Sequence, residues 1–383
     1  MKTLLRIALC LALVAGTVTA QGKSKRANSP RRVAFETEFK NAMDEMQVVG
    51  VSIAVVKDNK IVFNNSYGYK NLETKELVDN NTMFRIASIS KSFSATSIMQ
   101  LVEQGKVTLD TDINDILDFK VRNPKYPDVP ITVEMLLSHT SSLNDNEGYK
   151  GSLDVCNVAK SENAHKAFND YKPGTKYDYC NLNFSLLGSI IERLSGERFD
   201  LYIDRHILIP LSLKASFNIN EVPAKHIAKL YTWDGTKMNE DPAAYTPVTG
   251  LENYQLGVSS TTFSPAGGMK ISARTLAKYM LMHMNYGKSP LAQTRIISEE
   301  SAKCMQRDHT PGYQYGLALE QTNEFTPDEV MVGHTGDAHG LRSAMFFNPE
   351  KKYGLVVITS GSNNTETVLQ KLVPIVYKHF LKK

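Results

Sequence analysis

Apolar positions fall into two different periods along this chain. Val51 to Val56 is a short run enriched in Val and Ile, and Asp58-Asn59 supplies a turn. Ile61-Val62-Phe63 then resumes the apolar pattern, so the segment predicts a β-hairpin. Ser88 to Gln104 changes to helical spacing, with Phe93, Met99 and Val102 among its apolar positions and Gly105 placed to end it. Asn181 to Leu194 is a second helical pattern, stopped by Gly196. Ser272 can cap a third helix from Ala273 to about Asn285. The last third returns to strands. Tyr315 to Glu320, Val330 to His334, Ser343 to Asn348 and Tyr353 to Thr359 are short runs separated by turn residues such as Asn348-Pro349-Glu350. Thr365 to Phe380 predicts a closing amphipathic helix.

Strands therefore lie at both ends and helices in the middle. The arrangement predicts an α/β chain of the α+β type. An antiparallel sheet is built from both termini, flanked by helices, and interrupted by a mainly helical inserted region over about residues 110–265.

The N-terminus changes the picture of where this domain works. Lys2 and Arg6 precede an apolar core from Ile7 to Val18, and Val18-Thr19-Ala20 has the small residues of a cleavage site. Residues 1–20 read as a secretory signal, with the mature chain starting near Gln21 and a secreted or periplasmic location. The apolar run is too short to span a bilayer comfortably, and Leu9 before Cys10 argues against a lipid-modified cysteine. Residues 21–32 carry Lys23, Lys25, Arg26, Arg31 and Arg32 and no acid, which predicts a flexible basic leader before a catalytic domain over 33–383. Of 44 basic residues, seven lie in the first 32 positions, leaving 37 against 40 acidic ones. That balance gives no reason to expect a nucleic-acid partner.

After cleavage three cysteines remain: Cys156, Cys180 and Cys304. An odd count leaves at least one free thiol. Cys180 is expected to be buried, and Cys156 with Cys304 is a possible disulfide. No His/Cys cluster has zinc spacing and no glycine-rich loop has phosphate-binding spacing, so no cofactor is expected.

The chemistry is carried by Ser88 and Lys91, which form the one Ser-x-x-Lys of the 383 residues. On a helix, residues three apart share a face, which sets the amine of Lys91 beside the hydroxyl of Ser88. A serine hydroxyl is a poor nucleophile until a base takes its proton, and a desolvated lysine can lose enough basicity to serve. Tyr179-Cys180-Asn181 and His334-Thr335-Gly336 follow in order. Tyr69-Lys70-Asn71 repeats the Tyr-x-Asn spacing, but it precedes the serine and lies in the hairpin.

The order Ser-x-x-Lys, Tyr-x-Asn, then a basic residue with Thr-Gly resembles the serine β-lactamase and penicillin-binding protein superfamily. It is most similar to the class C-like branch of class C β-lactamases, DD-peptidases, D-aminopeptidases, esterases and acyltransferases. Ile131-Thr132 through Leu136 to Leu143, Pro173-Gly174-Thr175 and Pro265-Ala266-Gly267-Gly268 look like landmarks of that branch, and the resemblance runs from about Val48 to Ser360. It implies a β-lactamase/transpeptidase-like fold with the active site between sheet and helical part. It also implies Ser88 as an acylated nucleophile, with Lys91 and Tyr179 as the acid–base pair. Asn181 would hold Lys91 or a substrate amide. The N–H groups of Ser88 and Asp337 would form an oxyanion hole, with the bare Gly336 letting a substrate carbonyl approach. The charge of Lys91 is expected to lower the pKa of Tyr179. The family gives His139 no chemistry.

Two departures bear on substrate. His334 stands where most β-lactamases have lysine, and histidine is mostly neutral near pH 7. Asp337 stands where a small Ser or Thr is usual, and a carboxylate there would repel an anionic terminus unless Arg342 pairs with it. These features favour a small-molecule or peptide ester or amide as substrate. The alternatives are acyl transfer to an alcohol or amine, β-lactam hydrolysis, or a non-catalytic cell-wall-binding role.

Overall fold

The computed structural model describes residues 29–382. In chain order it contains α1 (Pro30–Glu45), β1 (Gly50–Lys57), β2 (Lys60–Asn71), β3 (Glu76–Leu77), β4 (Phe84–Arg85), α2 (Lys91–Glu103), α3 (Val133–Leu137), α4 (Asn181–Ser195) and α5 (Phe199–Ile203). It continues through β5 (Ala215–Ser216), β6 (Leu230–Trp233), β7 (Met238–Asp241), β8 (Lys270–Ile271), α6 (Ala273–Met284) and α7 (Glu299–Gln306). It ends with β9 (Glu320–Thr322), β10 (Met331–Ala338), β11 (Leu341–Asn348), β12 (Tyr353–Thr359) and α8 (Val368–Phe380).

Seven strands form one antiparallel sheet in the order β3-β2-β1-β12-β11-β10-β9. The two ends of the chain meet where β1 pairs with β12, from Val51↔Thr359 to Lys57↔Tyr353. The sheet expected from both termini is thus present. Its central strands read as unbroken apolar runs because both faces are covered. Val51, Ile53 and Val55 point toward α1 and α8, in one core with Phe35, Phe39, Leu372 and Val376. Ala54 and Val56 point the other way, into the larger core with Phe93, Ile98, Leu276 and Met280.

Several boundaries differ from the sequence reading. The signal segment and residues 21–28 lie outside the described residues. The end of the basic leader is not a leader at all, since Ser29 accepts a hydrogen bond from the Arg32 N–H and Pro30 opens α1. A serine cap followed by proline at the first turn is a helix start. Tyr315 to Glu320 is not a strand. Gln314 and Ala318 have positive φ (64° and 60°), which breaks extension, and pairing is reduced to a Tyr315↔Glu320 bridge before β9. The inserted region is helical in α3, α4 and α5, with a π-helical turn (Asp204–Leu208) continuing α5, and otherwise holds short 3₁₀ turns, loop and the β6–β7 ribbon. Cys156 and Cys304 are unpaired, and Cys180 is buried as expected. No helix among the described residues is long and apolar enough to cross a membrane.

What positions the site is the contact between the end of β10 and the segment leading into α2. A Cβ on Gly336 would stand 2.3 Å from the Ile86 carbonyl oxygen and 2.3 Å from the Ser343 hydroxyl. Gly336 therefore lets β10 lie against residues 86–88, a close approach of backbone to backbone.

Candidate active site

Ser88 sits in a 3₁₀ turn, Ala87–Ser90, that runs directly into α2. Ala87 before it is held at φ 46°, a left-handed conformation that a non-glycine residue adopts only when its surroundings impose it. Lys91 begins α2 and is fully buried behind Ser88. Its Nζ lies 3.1 Å from Ser88 Oγ, 2.7 Å from Asn181 Oδ1 and 2.9 Å from the Ala266 carbonyl. Burial, the largest cause, brings its pKa down to about 7, and the Asp145 carboxylate opposes the shift. A neutral amine has two N–H donors and one lone pair. The two carbonyl oxygens take the donors, which leaves the lone pair for Ser88.

Asn181 is fixed in turn by Asp145. The Asp145 carboxylate accepts from Asn181 Nδ2 at 2.8 Å and from the backbone N–H groups of Asn181 and Leu182 at 3.0 and 2.9 Å. It thereby caps α4, whose own N-cap, Cys180, makes no side-chain capping bond.

Tyr179 faces Ser88 from the opposite side, with Lys91 Nζ 4.8 Å from its ring centroid. Contrary to expectation, its pKa is not lowered. Burial of its hydroxyl end pushes it up, Glu320 and Asp145 add to that, and the hydrogen bond with Ser88 only partly opposes it. The residue as a whole is 37% exposed and lines the cleft.

His334 lies on β10 and is buried. Its Nδ1 bonds the Thr335 carbonyl and its Nε2 lies 2.9 Å from the Tyr315 hydroxyl. Nδ1 is thus the donor and Nε2 the acceptor, and burial brings the pKa down to about 3. His334 presents no charge at neutral pH.

Beyond β9, which pairs only with Met331 to Gly333, β10 is an open edge. The hairpin from Ala338 to Leu341 turns on His339 and Gly340, both with positive φ (53° and 80°). Such a two-residue turn is closed by a doubly bonded pair. The next residue, Asp337, therefore turns its N–H outward, toward the free edge.

A family model described as Beta-lactamase matches residues 35–373. The chain belongs to the beta-lactamase family. Within it the chain is class C-like, as the order of its motifs implies. Protein flp of Staphylococcus aureus (strain MRSA252) is 25% identical over 339 residues, 88% of this chain and 64% of flp. The chain thus spans less than two thirds of that relative's length. The octameric penicillin-binding protein homologue from Pyrococcus abyssi is 27% identical with a TM-score of 0.74, covering 90% of this chain and 77% of that one. The D-amino acid amidase from Ochrobactrum anthropi SV3, complexed with L-phenylalanine amide, shares the fold (TM-score 0.67, 21% identity, 91% of this chain and 99% of that one).

In this beta-lactamase-family chain the motif residues meet at one cleft of about 400 Å³. Ser88, Tyr179, Asn181, His334, Thr335 and Asp337 line it, while Lys91 and Gly336 lie behind its wall. The landmark segments now have physical reasons. The carbonyls of Pro265, Ala266 and Gly267 accept from Ser94, Lys91 and Arg85. His139 Nδ1 accepts the Cys180 N–H at 3.1 Å, and its ring packs 4.3 Å from Tyr179, so this histidine holds the tyrosine motif in place.

The Asp337 side chain is paired across the strands with Arg342, Nη1 to Oδ2 2.9 Å, and is 58% exposed. Its charge is compensated, which weakens the expected repulsion of anions. Sequence reasoning missed Asp145, Arg85, Tyr149, Tyr177, Tyr313, Tyr315 and Glu320 as members of the site. Two signals were available. Tyr-x-Tyr occurs at both 177–179 and 313–315, and Cys180 cannot cap the helix that follows it.

Proposed function

We propose that this chain is a secreted serine hydrolase that forms an acyl-enzyme at Ser88 on an ester or amide substrate. The observation that carries this reading is the hydrogen bonding of Lys91, whose lone pair is left for the Ser88 hydroxyl by two carbonyl acceptors. In this mechanism Lys91 takes the serine proton as Oγ attacks the substrate carbonyl. The oxyanion that forms is held by the N–H groups of Ser88 and Asp337. The proton then passes by way of the Tyr179 hydroxyl to the leaving alcohol or amine, which a tyrosine kept protonated by its surroundings is suited to deliver. Water, entering by the same route in reverse, hydrolyses the acyl-enzyme and returns Ser88.

The uncharged His334 supports esters and amides over β-lactams, since it offers no fixed cation to a substrate carboxylate. Acyl transfer uses the same groups. It gains support from the Tyr149, Tyr177 and Tyr313 walls, which offer an apolar acceptor a seat in competition with water. The secreted location rests on the first 20 residues of the sequence.

Turnover of p-nitrophenyl esters of short acyl groups, compared with nitrocefin, tests this reading. The esters are expected to be the better substrates, with all activity lost in Ser88→Ala. Nitrocefin hydrolysis at a kcat/KM of about 10⁶ M⁻¹s⁻¹ or above overturns the preference.

A further inference from the structure

The cleft carries opposite charges at its two ends. At one end Arg85, only 8% exposed, bonds the Gly267 carbonyl through Nε at 2.7 Å and lines the cleft beside Tyr149 and Ala338. At the other end Glu320 lies on β9 opposite Gly333, next to His334 and Thr335. The Thr335 backbone N–H is the one group that stabilises its charge; no basic side chain among the described residues does so. The groups facing Glu320 are the phenols of Tyr177, Tyr179, Tyr313 and Tyr315, the uncharged His334 imidazole, and a second carboxylate, Glu324. Tyr177 and Tyr313 stack at 3.9 Å with 11° between their planes, and Tyr177 packs 5.4 Å from Tyr315.

An unpaired carboxylate walled by aromatic rings recognises an organic cation. The carboxylate supplies a charge-assisted hydrogen bond, and the ring faces attract positive charge. A carboxylate-bearing group at that end would meet Glu320 with no cation to offset it. We propose that the His334 end of the cleft holds a protonated amine of the substrate through Glu320, with Tyr177 and Tyr313 alongside, which makes Glu320 a specificity-determining residue. Arg85 repels the same cation from the opposite end, so the amine has one place to bind and the substrate one orientation. This assignment rests on the Ser88 cleft being the acyl-transfer site proposed above.

The test uses benzylammonium and benzyl alcohol, matched in shape and different in charge, and follows their binding by NMR titration. It is made near pH 8, above the pKa of about 7 to which burial raises the Glu320 carboxyl. Wild type is expected to bind the ammonium at least about tenfold more tightly than the alcohol, a modest share of a single ion pair at an effective dielectric near 20. In folded Glu320→Gln the ratio is expected to fall to about threefold or less. Equal binding of the two probes to wild type overturns the proposal without any variant. So does an undiminished preference in folded Glu320→Gln. Because titration needs no turnover, a chain that prefers the ammonium but hydrolyses no ester defeats the acyl-enzyme reading alone. One that hydrolyses esters without the preference defeats this assignment alone.

Discussion

The Lys91 Nζ stands 3.1 Å from Ser88 Oγ, and both of its remaining hydrogen-bond directions end on carbonyl oxygens, those of Asn181 and Ala266. This relationship sets the pH dependence of the proposed reaction. Only the neutral amine can take the serine proton. With the Lys91 pKa lowered to about 7, kcat/KM for a neutral ester should rise with pH through that value and level off above it. A pH–rate profile that is flat, or that falls, between about pH 5.5 and 8.5 contradicts this assignment of the base. Lys91→Ala should lower turnover by about a hundredfold or more.

Asp145 holds Asn181 by two bonds and the Leu182 N–H by a third, and it raises the pKa of Lys91. Asp145→Ala should cost about 1–2 kcal/mol of stability through the lost helix cap. It should also move the midpoint of the pH–rate profile downward, because a negative charge that favours the ammonium is gone. Denaturant unfolding reads the first effect and ester kinetics the second. A purely structural role for Asp145 leaves the midpoint where it was.

Tyr179→Phe removes the hydroxyl that faces Ser88 and keeps the ring that packs on His139. Turnover should drop by about a hundredfold with stability nearly unchanged. Near-full activity in this variant takes Tyr179 out of the proton path.

Asp337→Ser leaves Arg342 without its partner at the mouth of the cleft. The backbone N–H survives, so hydrolysis of a neutral ester should stay within a few-fold. Substrates ending in a free carboxylate should gain by about three- to tenfold, a small effect because the pair is largely exposed. The ratio of rates on a neutral ester and a D-alanyl-terminated peptide measures it; an unmoved ratio means Arg342 does not reach the bound substrate.

Gly336→Ala forces a methyl group against the Ile86 carbonyl, where a Cβ would be 2.3 Å away. The strand and the segment bearing Ser88 must part, at a cost of about 1–3 kcal/mol in urea unfolding. Full stability in this variant contradicts the packing role given to Gly336.

The parts of this molecule legible in its sequence are those fixed by local pattern. The β1–β2 hairpin, α4, α6 and the terminal strands announce themselves by period, and Ser88, Lys91, Tyr179 and His334 by motif spacing. What was not legible is set by contacts between distant segments. Asp145 lies in irregular chain, and its role follows from a helix end 36 residues away. Glu320 reaches the cleft because the pairing of β9 with β10 ends at Glu320↔Gly333. The Tyr315–Glu320 run looks extended, but its backbone turns at Ala318 to bury Leu317 and Leu319. The expected drop in the Tyr179 pKa failed for a related reason. Burial of the phenol, set by segments far apart in the chain, outweighs what a nearby lysine could do.

The central claim, acylation of Ser88, is tested most directly by labelling the folded protein with a fluorophosphonate serine probe and mapping the adduct by peptide mass spectrometry. The account predicts a single adduct on the peptide containing Ser88, absent in Ser88→Ala and much slower to form in Lys91→Ala. An adduct on another residue, or no adduct in protein shown to be folded, contradicts it.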